Sequence, residues 1–309
     1  MSRIHEALKK AEQERAMAEP VQRAESAPVL VEERVVDAEP PANLPAISAA
    51  PMVMTPENLL ARSRQTKWNP DPKTMLFFGG EEHVYGMEEF RTLRSRLYQA
   101  REKQPLSKIL ITSPLPKEGK SFVTANLGQV LVRQHGKRTL LVDADLRNPH
   151  LHSILGAEVG PGLSEYLRSE ADEYSILQRG PMDNLFLIPA GHSNENPAEL
   201  VASGRIKTLF NRLQPLFDWI IVDSPPAVAV SDATLLANYC DGVILVVRSN
   251  STPFDMARRA RQEFGDNVVG VVLNGIETLP EYSQYYYNAY AKPNGQTSLK
   301  NSEVKGESC

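Results

Sequence analysis

The sequence has little of what marks a secreted, membrane-spanning or nucleic-acid-binding protein. Its 309 residues include 2 cysteines, Cys240 and Cys309, which show no metal or redox spacing and fit a reduced compartment. No apolar run approaches the ~20 residues that span a bilayer, and the N-terminus lacks the apolar core of a signal peptide. The formal net charge of −4 gives no field that would attract nucleic acid or anionic lipid. A cytoplasmic protein that binds no nucleic acid is expected, with any membrane association made through a partner.

Proline is abundant, at 23 residues, and its distribution divides the chain. Residues 1–19 have the spacing of an amphipathic helix, which fits either a frayed, solvated tail or a docking helix for a partner. Residues 20–74 are rich in Pro, Ala, Glu and Val and predict a disordered, flexible linker. A folded domain is expected over 75–280, followed by a flexible, tyrosine-rich C-terminal tail over 281–309.

Short β-branched runs alternate with helical segments inside the predicted domain. The runs lack polar alternation, which is typical of parallel strands that are buried on both faces. Strands are predicted at 108–113, 138–143, 184–189, 218–223, 242–247 and 267–273, and helices at 119–135, 197–214, 231–239 and 253–264. This alternation predicts a doubly wound α/β fold around a mainly parallel sheet, which binds ligands at the carboxyl ends of its strands.

The first predicted strand leads into a loop suited to phosphate binding. Gly119, Lys120 and Ser121 provide a small residue, a cation for the β and γ phosphates and a hydroxyl for Mg²⁺. The helix that opens here adds its positive N-terminus. Pro114 departs from the motif, because it stands where the first glycine usually is. A fold of the P-loop NTPase type is predicted, with ATP bound by Pro116, Lys117, Glu118, Gly119, Lys120, Ser121 and Phe122.

Two later strands end in aspartates. Asp143 and Asp223 each follow an apolar run, and Asp145 lies on the same side as Asp143 if the strand continues. Mg²⁺ usually takes one or two carboxylates together with phosphate oxygens, and a neighbouring carboxylate can orient or deprotonate an incoming hydroxyl. Arg147 is predicted to neutralise phosphate charge or to pair with an acidic partner. The predicted metal ligands are Ser121, Asp143 and Asp223, and the predicted catalytic residues are Lys120, Asp143 and Asp145.

Together these motifs resemble those of the bacterial tyrosine kinases (BY-kinases) of the CpsD/CapB family, which act in capsule and exopolysaccharide synthesis. Residues 140–147, Leu-Leu-Val-Asp-Ala-Asp-Leu-Arg, match that family's Walker A′ motif of three apolar residues followed by D-x-D-x-R. Glu88, Arg91 and Arg94 match an E-x-x-R-x-x-R motif that the family uses in ring-shaped oligomers. Five of the 10 tyrosines lie within 282–290, as in the family's tyrosine-rich C-terminus. The resemblance covers about residues 75–290.

The resemblance implies an ATP- and Mg²⁺-dependent protein-tyrosine autokinase that acts in trans within a ring-like homo-oligomer. It implies a separate membrane chain-length or export protein, whose cytoplasmic segment activates the kinase, and a tyrosine phosphatase. The kinase would then be cytoplasmic and peripheral to the inner membrane through that partner. Asn274, at the end of the last predicted strand, is assigned to the adenine edge from its position and from the resemblance. The implied phosphoacceptors are Tyr282, Tyr285, Tyr286, Tyr287 and Tyr290.

Other interpretations stay open at the level of sequence. A ParA/MinD-like ATPase that positions cargo shares the strand-end aspartates, although it would carry a second lysine where this chain has Leu115. A non-catalytic nucleotide-binding regulator is a further alternative. Without the resemblance, the Glu/Arg stripe of the early helix fits a solvated face with i,i+3 ion pairs. The tyrosine cluster likewise fits an aromatic tail that packs on a partner. His150 and His152 are assigned to a loop.

Overall fold

A mainly parallel sheet lies at the centre of the computed structural model, which describes residues 55–72, 74–78, 86–192 and 195–276. The strands of these residues are β1 (Arg64–Gln65), β2 (Lys108–Thr112), β3 (Thr139–Asp143), β4 (Gln178–Arg179), β5 (Leu185–Ile188), β6 (Trp219–Asp223), β7 (Gly242–Arg248) and β8 (Val268–Asn274). They lie in the order β1-β4-β5-β3-β6-β2-β7-β8. Neighbouring strands run parallel except for β4 and β5, which run antiparallel.

The longer strands match the predicted ones to within one residue at each end. All residues of β2, β3 and β6 are buried. Within β2, Ile109 and Leu110 point to opposite faces of the sheet, and each is 0% exposed. Full burial of such a side chain contributes about 1.5–3 kcal/mol. The middle of a strand that buries both faces is therefore apolar at successive positions, and the sequence shows it as an unbroken apolar run, as in Ile109–Ile111.

Helices cover both faces of the sheet. They are α1 (Pro56–Arg62), α2 (Met87–Lys103), α3 (Lys120–Val132), α4 (Leu151–Leu155), α5 (Leu163–Leu167), α6 (Pro197–Ala202), α7 (Arg205–Leu213), α8 (Asp232–Ala237) and α9 (Phe254–Phe264). Buried residues of α2, α3 and α4 pack in one hydrophobic core, and those of α5 to α9 pack in the core on the opposite face. The predicted doubly wound arrangement is confirmed.

The single helix predicted over 197–214 is wrong, because two helices occupy this stretch. Gly204 separates α6 from α7 and has a φ of +74°. Glycine adopts this left-handed conformation without the steric penalty that other residues meet. The apolar spacing nevertheless continues into α7, where Ile206, Leu209 and Leu213 are buried.

Several short elements were not predicted, namely α4, α5, β1 and β4. Each of the two helices has five residues, which are too few for a 3.6-residue periodicity to be recognised. The assignment of His152 to a loop is wrong, since this residue lies inside α4. His150 immediately precedes that helix.

The predicted linker over 20–74 extends too far toward the C-terminus, because residues 55–72 belong to the folded structure. Helix α1 begins with Pro56 and is capped by the Thr55 hydroxyl. Leu59 is fully buried, and Trp68 covers Gly180, where a Cβ would lie 2.3 Å from the indole ring. Two isolated apolar anchors give no periodic pattern, so that this part of the chain resembles the proline-rich sequence before it.

The predicted N-terminal helix, most of the predicted linker and the tyrosine-rich tail lie outside the described residues. None of the helices that the structure describes is both long and apolar enough to cross a membrane.

The strand order brings the ends of β2, β6 and β3 side by side. In the parallel register Asp143 of β3 pairs with Asp223 of β6, and Asp223 pairs with Ile111 of β2. Because parallel strands end at the same edge of the sheet, both carboxylates lie beside the loop that follows β2.

Candidate nucleotide-binding site

The loop that joins β2 to α3 reaches the helix through a tightly constrained glycine. Gly119 immediately precedes α3 and has a φ of +94°, which residues with a side chain rarely adopt. A Cβ at this position would lie 2.1 Å from Nδ2 of Asn274, so a side chain here would both strain the backbone and displace the Asn274 amide. The helix begins at Lys120, so that its free N–H groups and positive end are available at the loop. This is the arrangement in which helices bind phosphate.

Glu118 holds the loop from inside. Its residue is 4% exposed, and its carboxylate accepts hydrogen bonds from the N–H of Leu115 (3.1 Å) and from the hydroxyl of Thr252. Burial raises the pKa of this carboxyl, although both hydrogen bonds oppose the shift. Thr252 lies between β7 and α9, so the carboxylate ties the loop to the neighbouring strand. Both oxygens of the Glu118 side chain are thus occupied by hydrogen bonds within the protein. Only the backbone of Glu118 would contact a nucleotide in the predicted role.

Two more side chains hold the outer part of the loop by its carbonyl groups. Arg248, the last residue of β7, donates to the carbonyl of Lys117 (3.2 Å), and Asn274, the last of β8, donates to that of Glu118 (2.9 Å). Lys117 has a φ of +65°, and these bonds stabilise that conformation. Asn274 therefore lies against the phosphate loop, and its contact with adenine stays a prediction.

The remaining predicted residues of the loop differ in exposure. Pro116 and Lys117 are exposed. The ring of Phe122, in the first turn of α3, packs edge-on against Phe90 of α2, with 6.0 Å between centroids. The side chain of Phe122 thus anchors α3 to α2, and a contact with nucleotide would come from its backbone.

Lys120 lies between two strand-end carboxylates. Its Nζ is 2.8 Å from Oδ2 of Asp145 and 3.9 Å from Oδ2 of Asp223. All three side chains are nearly buried, with 11%, 3% and 0% exposed respectively. Burial lowers the pKa of Lys120, but Asp223 and Asp145 raise it more, so that the amine remains a cation. The structure therefore brings together the predicted cation and two of the predicted carboxylates.

Asp223 is bound by two hydroxyl groups of α3. It accepts hydrogen bonds from Oγ of Ser121 (2.5 Å) and Oγ1 of Thr124 (3.3 Å). Burial raises the pKa of Asp223 to about 6, although Lys120 and the Ser121 hydroxyl lower it. The serine and aspartate oxygens are ligands of the type that Mg²⁺ prefers. Thr124 was not predicted, although its spacing of four residues from Lys120 places it on the same helix face.

Asp143 is fully buried and binds the loop that follows β3. Its carboxylate accepts hydrogen bonds from the N–H groups of Asp145 (3.3 Å), His150 (3.1 Å) and Leu151 (3.0 Å). Burial and the charge of Asp223 raise the pKa of Asp143 well above its usual range, although the Leu151 N–H opposes this. These contacts shape the loop and start α4. The metal-binding and catalytic roles of Asp143 stay predictions.

Arg147 forms an ion pair with Asp232, the first residue of α8. Nε lies 2.7 Å from Oδ2 and Nη2 lies 3.1 Å from Oδ1. Two roles were predicted for Arg147. The structure shows the pairing with an acidic group, and the neutralisation of phosphate charge stays a prediction. Asp232 was not predicted, because nothing in the sequence links it to a residue 85 positions away.

The predicted oligomer contacts lie on α2 and make contacts within one subunit. Arg91 pairs with Glu88, one turn earlier. Arg94 donates to the carbonyl of Val130 (3.1 Å), near the end of α3. The side chains of Glu88 and Arg91 are both partly exposed. Their role between subunits stays a prediction.

A metal site formed by protein alone is absent from the described part of the chain, where no three Asp, Glu, His or Cys side chains form a suitable group. Because Mg²⁺ usually adds phosphate oxygens and water to one or two carboxylates, a bound nucleotide would have to complete such a site. The predicted phosphoacceptors, Tyr282, Tyr285, Tyr286, Tyr287 and Tyr290, lie outside the described residues.

Comparison with protein families agrees with this geometry. The CobQ/CobB/MinD/ParA nucleotide-binding domain matches residues 109–288, which include every strand-end residue described above. This match supports a nucleotide as the ligand of the phosphate loop.

Individual relatives are tyrosine kinases of bacteria. The tyrosine-protein kinase YwqD of Bacillus subtilis is 34% identical over 203 residues, which cover 65% of this chain and 85% of that protein. The putative tyrosine-protein kinase CapB of Staphylococcus aureus is 32% identical over 203 residues, with coverages of 65% and 89%. The solved kinase domain of the Escherichia coli tyrosine kinase ETK superposes with a TM-score of 0.59 at 30% identity, covering 63% of this chain and 78% of that domain.

Proposed function

We propose that this chain, which belongs to the CobQ/CobB/MinD/ParA nucleotide-binding family and within it to the bacterial tyrosine-protein kinases, phosphorylates tyrosines of its own C-terminal segment with ATP. The observation that carries the proposal is the 2.8 Å contact between Lys120 and Asp145. It supports a site in which a cation for the phosphates adjoins a carboxylate for the accepting hydroxyl. A positioned cation and a positioned base are what phosphoryl transfer requires of a protein.

The residues present fit a nucleotide with Mg²⁺. Gly119 and the N-terminus of α3 would hold the phosphates, with Lys120 on the β and γ groups. Ser121 and Asp223, whose oxygens are 2.5 Å apart, would hold the metal together with Asp143. The raised pKa of Asp223, which burial causes, supports a site that gains from a further cation. Bound Mg²⁺ would neutralise charge that develops on the phosphate oxygens.

Asp145 is proposed to orient the tyrosine hydroxyl and to accept its proton. The phenolic oxygen forms a bond to the γ phosphorus while the bond from phosphorus to the bridging oxygen of ADP breaks. Asp145 is held for this role by Lys120 on one oxygen and by the N–H of Asn148 (3.0 Å) on the other. Positioning of this kind is the larger part of catalysis in phosphoryl transfer.

The acceptor tyrosines are proposed to belong to a neighbouring subunit of a ring-like homo-oligomer, with Glu88, Arg91 and Arg94 at the subunit contacts. Each phosphate would add ~1.5–2 negative charges, so that several together would loosen such a ring. A separate membrane chain-length or export protein is proposed to activate the kinase from the inner membrane, and a phosphatase to reverse it. The proposed process is capsule or exopolysaccharide synthesis.

Phosphotyrosine formation tests the proposal directly. Purified protein incubated with Mg²⁺ and ATP should react with an anti-phosphotyrosine antibody, and Lys120→Met should abolish the signal. Lys137→Met is the matched control, because this lysine also forms an ion pair of 2.8 Å, with Asp218, but is 35% exposed and lies away from the phosphate loop. The control variant should retain the wild-type signal.

Measurement of ATP hydrolysis and of nucleotide affinity on the same proteins separates the alternatives. A nucleotide-dependent positioning switch of the ParA/MinD type would hydrolyse ATP without modifying any tyrosine. A non-catalytic regulator would show neither reaction, and Lys120→Met would change its affinity for nucleotide alone. Either result would overturn the kinase proposal.

A further inference from the structure

The ion pair between Arg147 and Asp232 joins the two polypeptide segments that carry the site carboxylates. Arg147 lies two residues after Asp145, in the loop that follows β3. Asp232 begins α8, in the segment that follows Asp223 and β6. The Asp232 side chain is 2% exposed and meets the guanidinium with both oxygens, at 2.7 and 3.1 Å. A bidentate pair fixes direction as well as distance, which a single ionic contact does not.

The loop that carries Asp145 is otherwise held mainly by itself. The bonds from Asn148 to Asp145, and from His150 and Leu151 to Asp143, all stay within residues 143–151. Among the described residues, the polar contacts that leave this loop near Asp145 are the Lys120 ion pair, the bond from the Ala144 N–H to the Asp223 carbonyl (2.8 Å) and the Arg147 pair. Of these, the Arg147 pair alone attaches the loop to α8.

We propose that Asp232 is a positioning residue for phosphoryl transfer, which holds Arg147 and thereby keeps Asp145 against Lys120. For its activity readout this inference rests on the kinase function proposed above. In this proposal Arg147 holds the loop that carries Asp145. An arginine that binds phosphate would instead direct its guanidinium at the nucleotide. Loss of Asp232 should therefore disturb turnover and leave nucleotide binding intact.

A double-mutant cycle tests this coupling with Asp232→Asn, Arg147→Gln and the double variant. Each single change should lower kcat for tyrosine phosphorylation about 10- to 100-fold, as is usual for residues that orient site ligands. KM for ATP should stay within about twofold, since an interaction made only with the reacting geometry affects kcat. The double variant should lose no more than either single one, because the two side chains act as a unit.

The double variant also protects the test against misfolding, because it buries no unpaired charge. Arg258→Gln is the matched control: this arginine also pairs with an aspartate, Asp255 at 3.0 Å, but both side chains are mostly exposed. The control should leave kcat, KM and the melting temperature unchanged.

Amide hydrogen exchange of the nucleotide-free protein provides a readout that needs no activity. In Asp232→Asn the N–H groups of Asn148, His150 and Leu151 should exchange at least about tenfold faster, since these donors follow Arg147 in the stretch of chain that its ion pair holds. Strands β2 and β6 should keep their protection. This measurement and the affinity for a fluorescent ATP analogue test the positioning role without any kinase activity. Absence of phosphotyrosine in the wild-type protein would contradict the kinase function and would leave these two measurements valid.

Three results would overturn the inference. The first is wild-type kcat in Asp232→Asn, and the second is additive losses in the double variant. The third is weaker nucleotide binding, by about tenfold or more, in Arg147→Gln but not in Asp232→Asn, since this would make Arg147 a phosphate ligand.

Discussion

Replacing Glu118 by alanine should loosen the phosphate loop and weaken nucleotide binding without unfolding the protein. The change removes the acceptor of the Leu115 N–H (3.1 Å) and of the Thr252 hydroxyl. Hydrogen bonds to a charged acceptor contribute about 1.5–3 kcal/mol each, but the raised pKa of Glu118 shows that burial offsets part of this gain. Leu115 is only half-buried, so water can reach its freed N–H. A net loss of about 2 kcal/mol follows, or about 4–8 °C in Tm for a domain of this size.

Glu118→Gln should be nearly neutral and serves to separate shape from charge. The amide oxygen can accept the Leu115 N–H while the amide nitrogen donates to Oγ1 of Thr252. Because the pKa of Glu118 is raised in the folded protein, its contribution to stability is complete below the ordinary value of 4.5 and is lost as pH rises through the folded pKa. The Gln variant should lack this component, so its stability relative to wild type should increase between pH 4 and pH 7.

Titration with a fluorescent ATP analogue measures the effect on the site. In the Ala variant the loop must be ordered again on binding, and we expect Kd to rise about tenfold, which is 1.4 kcal/mol. The Gln variant should stay within about twofold of wild type. Glu170→Ala is the control, because Glu170 forms an exposed ion pair with Arg168 away from the loop. Wild-type affinity in Glu118→Ala, with a lowered Tm, would refute the reasoning, since Glu118 would then stabilise the fold without ordering the loop.

Further predictions concern stability and the acceptor segment. Asp241→Ala should lower the free energy of unfolding by about 3 kcal/mol, because the carboxylate accepts the N–H groups of Ser107 (2.9 Å) and Lys108 (2.8 Å); urea denaturation measures this. Burial raises the pKa of Asp241, but these N–H groups and the side chains of Ser107 and Lys108 together lower it more. The difference should therefore shrink as pH falls below about 4, and a constant difference would contradict the argument. Leu59→Ala should cost about 2–5 kcal/mol in the same assay, whereas a residue in a disordered linker would cost nothing. Phenylalanine at every tail tyrosine should remove most autophosphorylation, and an undiminished label would place the acceptor elsewhere; the tail tyrosines are Tyr282, Tyr285, Tyr286, Tyr287 and Tyr290.

The fold was largely predictable because its central strands are buried on both faces. Runs such as Ile109–Ile111 must be apolar at each position, and this requirement is visible in any single sequence. The positions of Asp143 and Asp223 followed from the same strands, since a residue that ends a parallel strand lies at a known edge of the sheet, and Lys120 begins the helix after the loop at that edge. Long central elements thus carried the correct part of the prediction.

The contacts that the sequence did not predict join residues far apart in the chain. Thr252 reaches Glu118 across 134 residues, and Asp232 reaches Arg147 across 85. No periodicity marks such residues, because each lies in a loop or at the start of a short helix. The folded segment 55–72 was missed for a related reason: its stability depends on Leu59 and Trp68 packing against distant residues, and not on any local pattern.

Pro114 stands where the phosphate-loop motif usually has its first glycine. This departure from the motif does not favour a non-catalytic nucleotide-binding regulator. Pro114 is buried and belongs to the first part of the loop, where the Ser113 hydroxyl donates to the carbonyl of Leu115 (2.7 Å). The left-handed residues lie in the second part of the loop, where Lys117 and Gly119 have positive φ values of +65° and +94°. Alternation of left-handed residues with the start of a helix produces an anion-binding concavity from backbone alone. Pro114 removes one N–H from the first part of the loop and therefore leaves the second part, and Lys120 after it, unaffected. Loss of turnover would need a cause elsewhere.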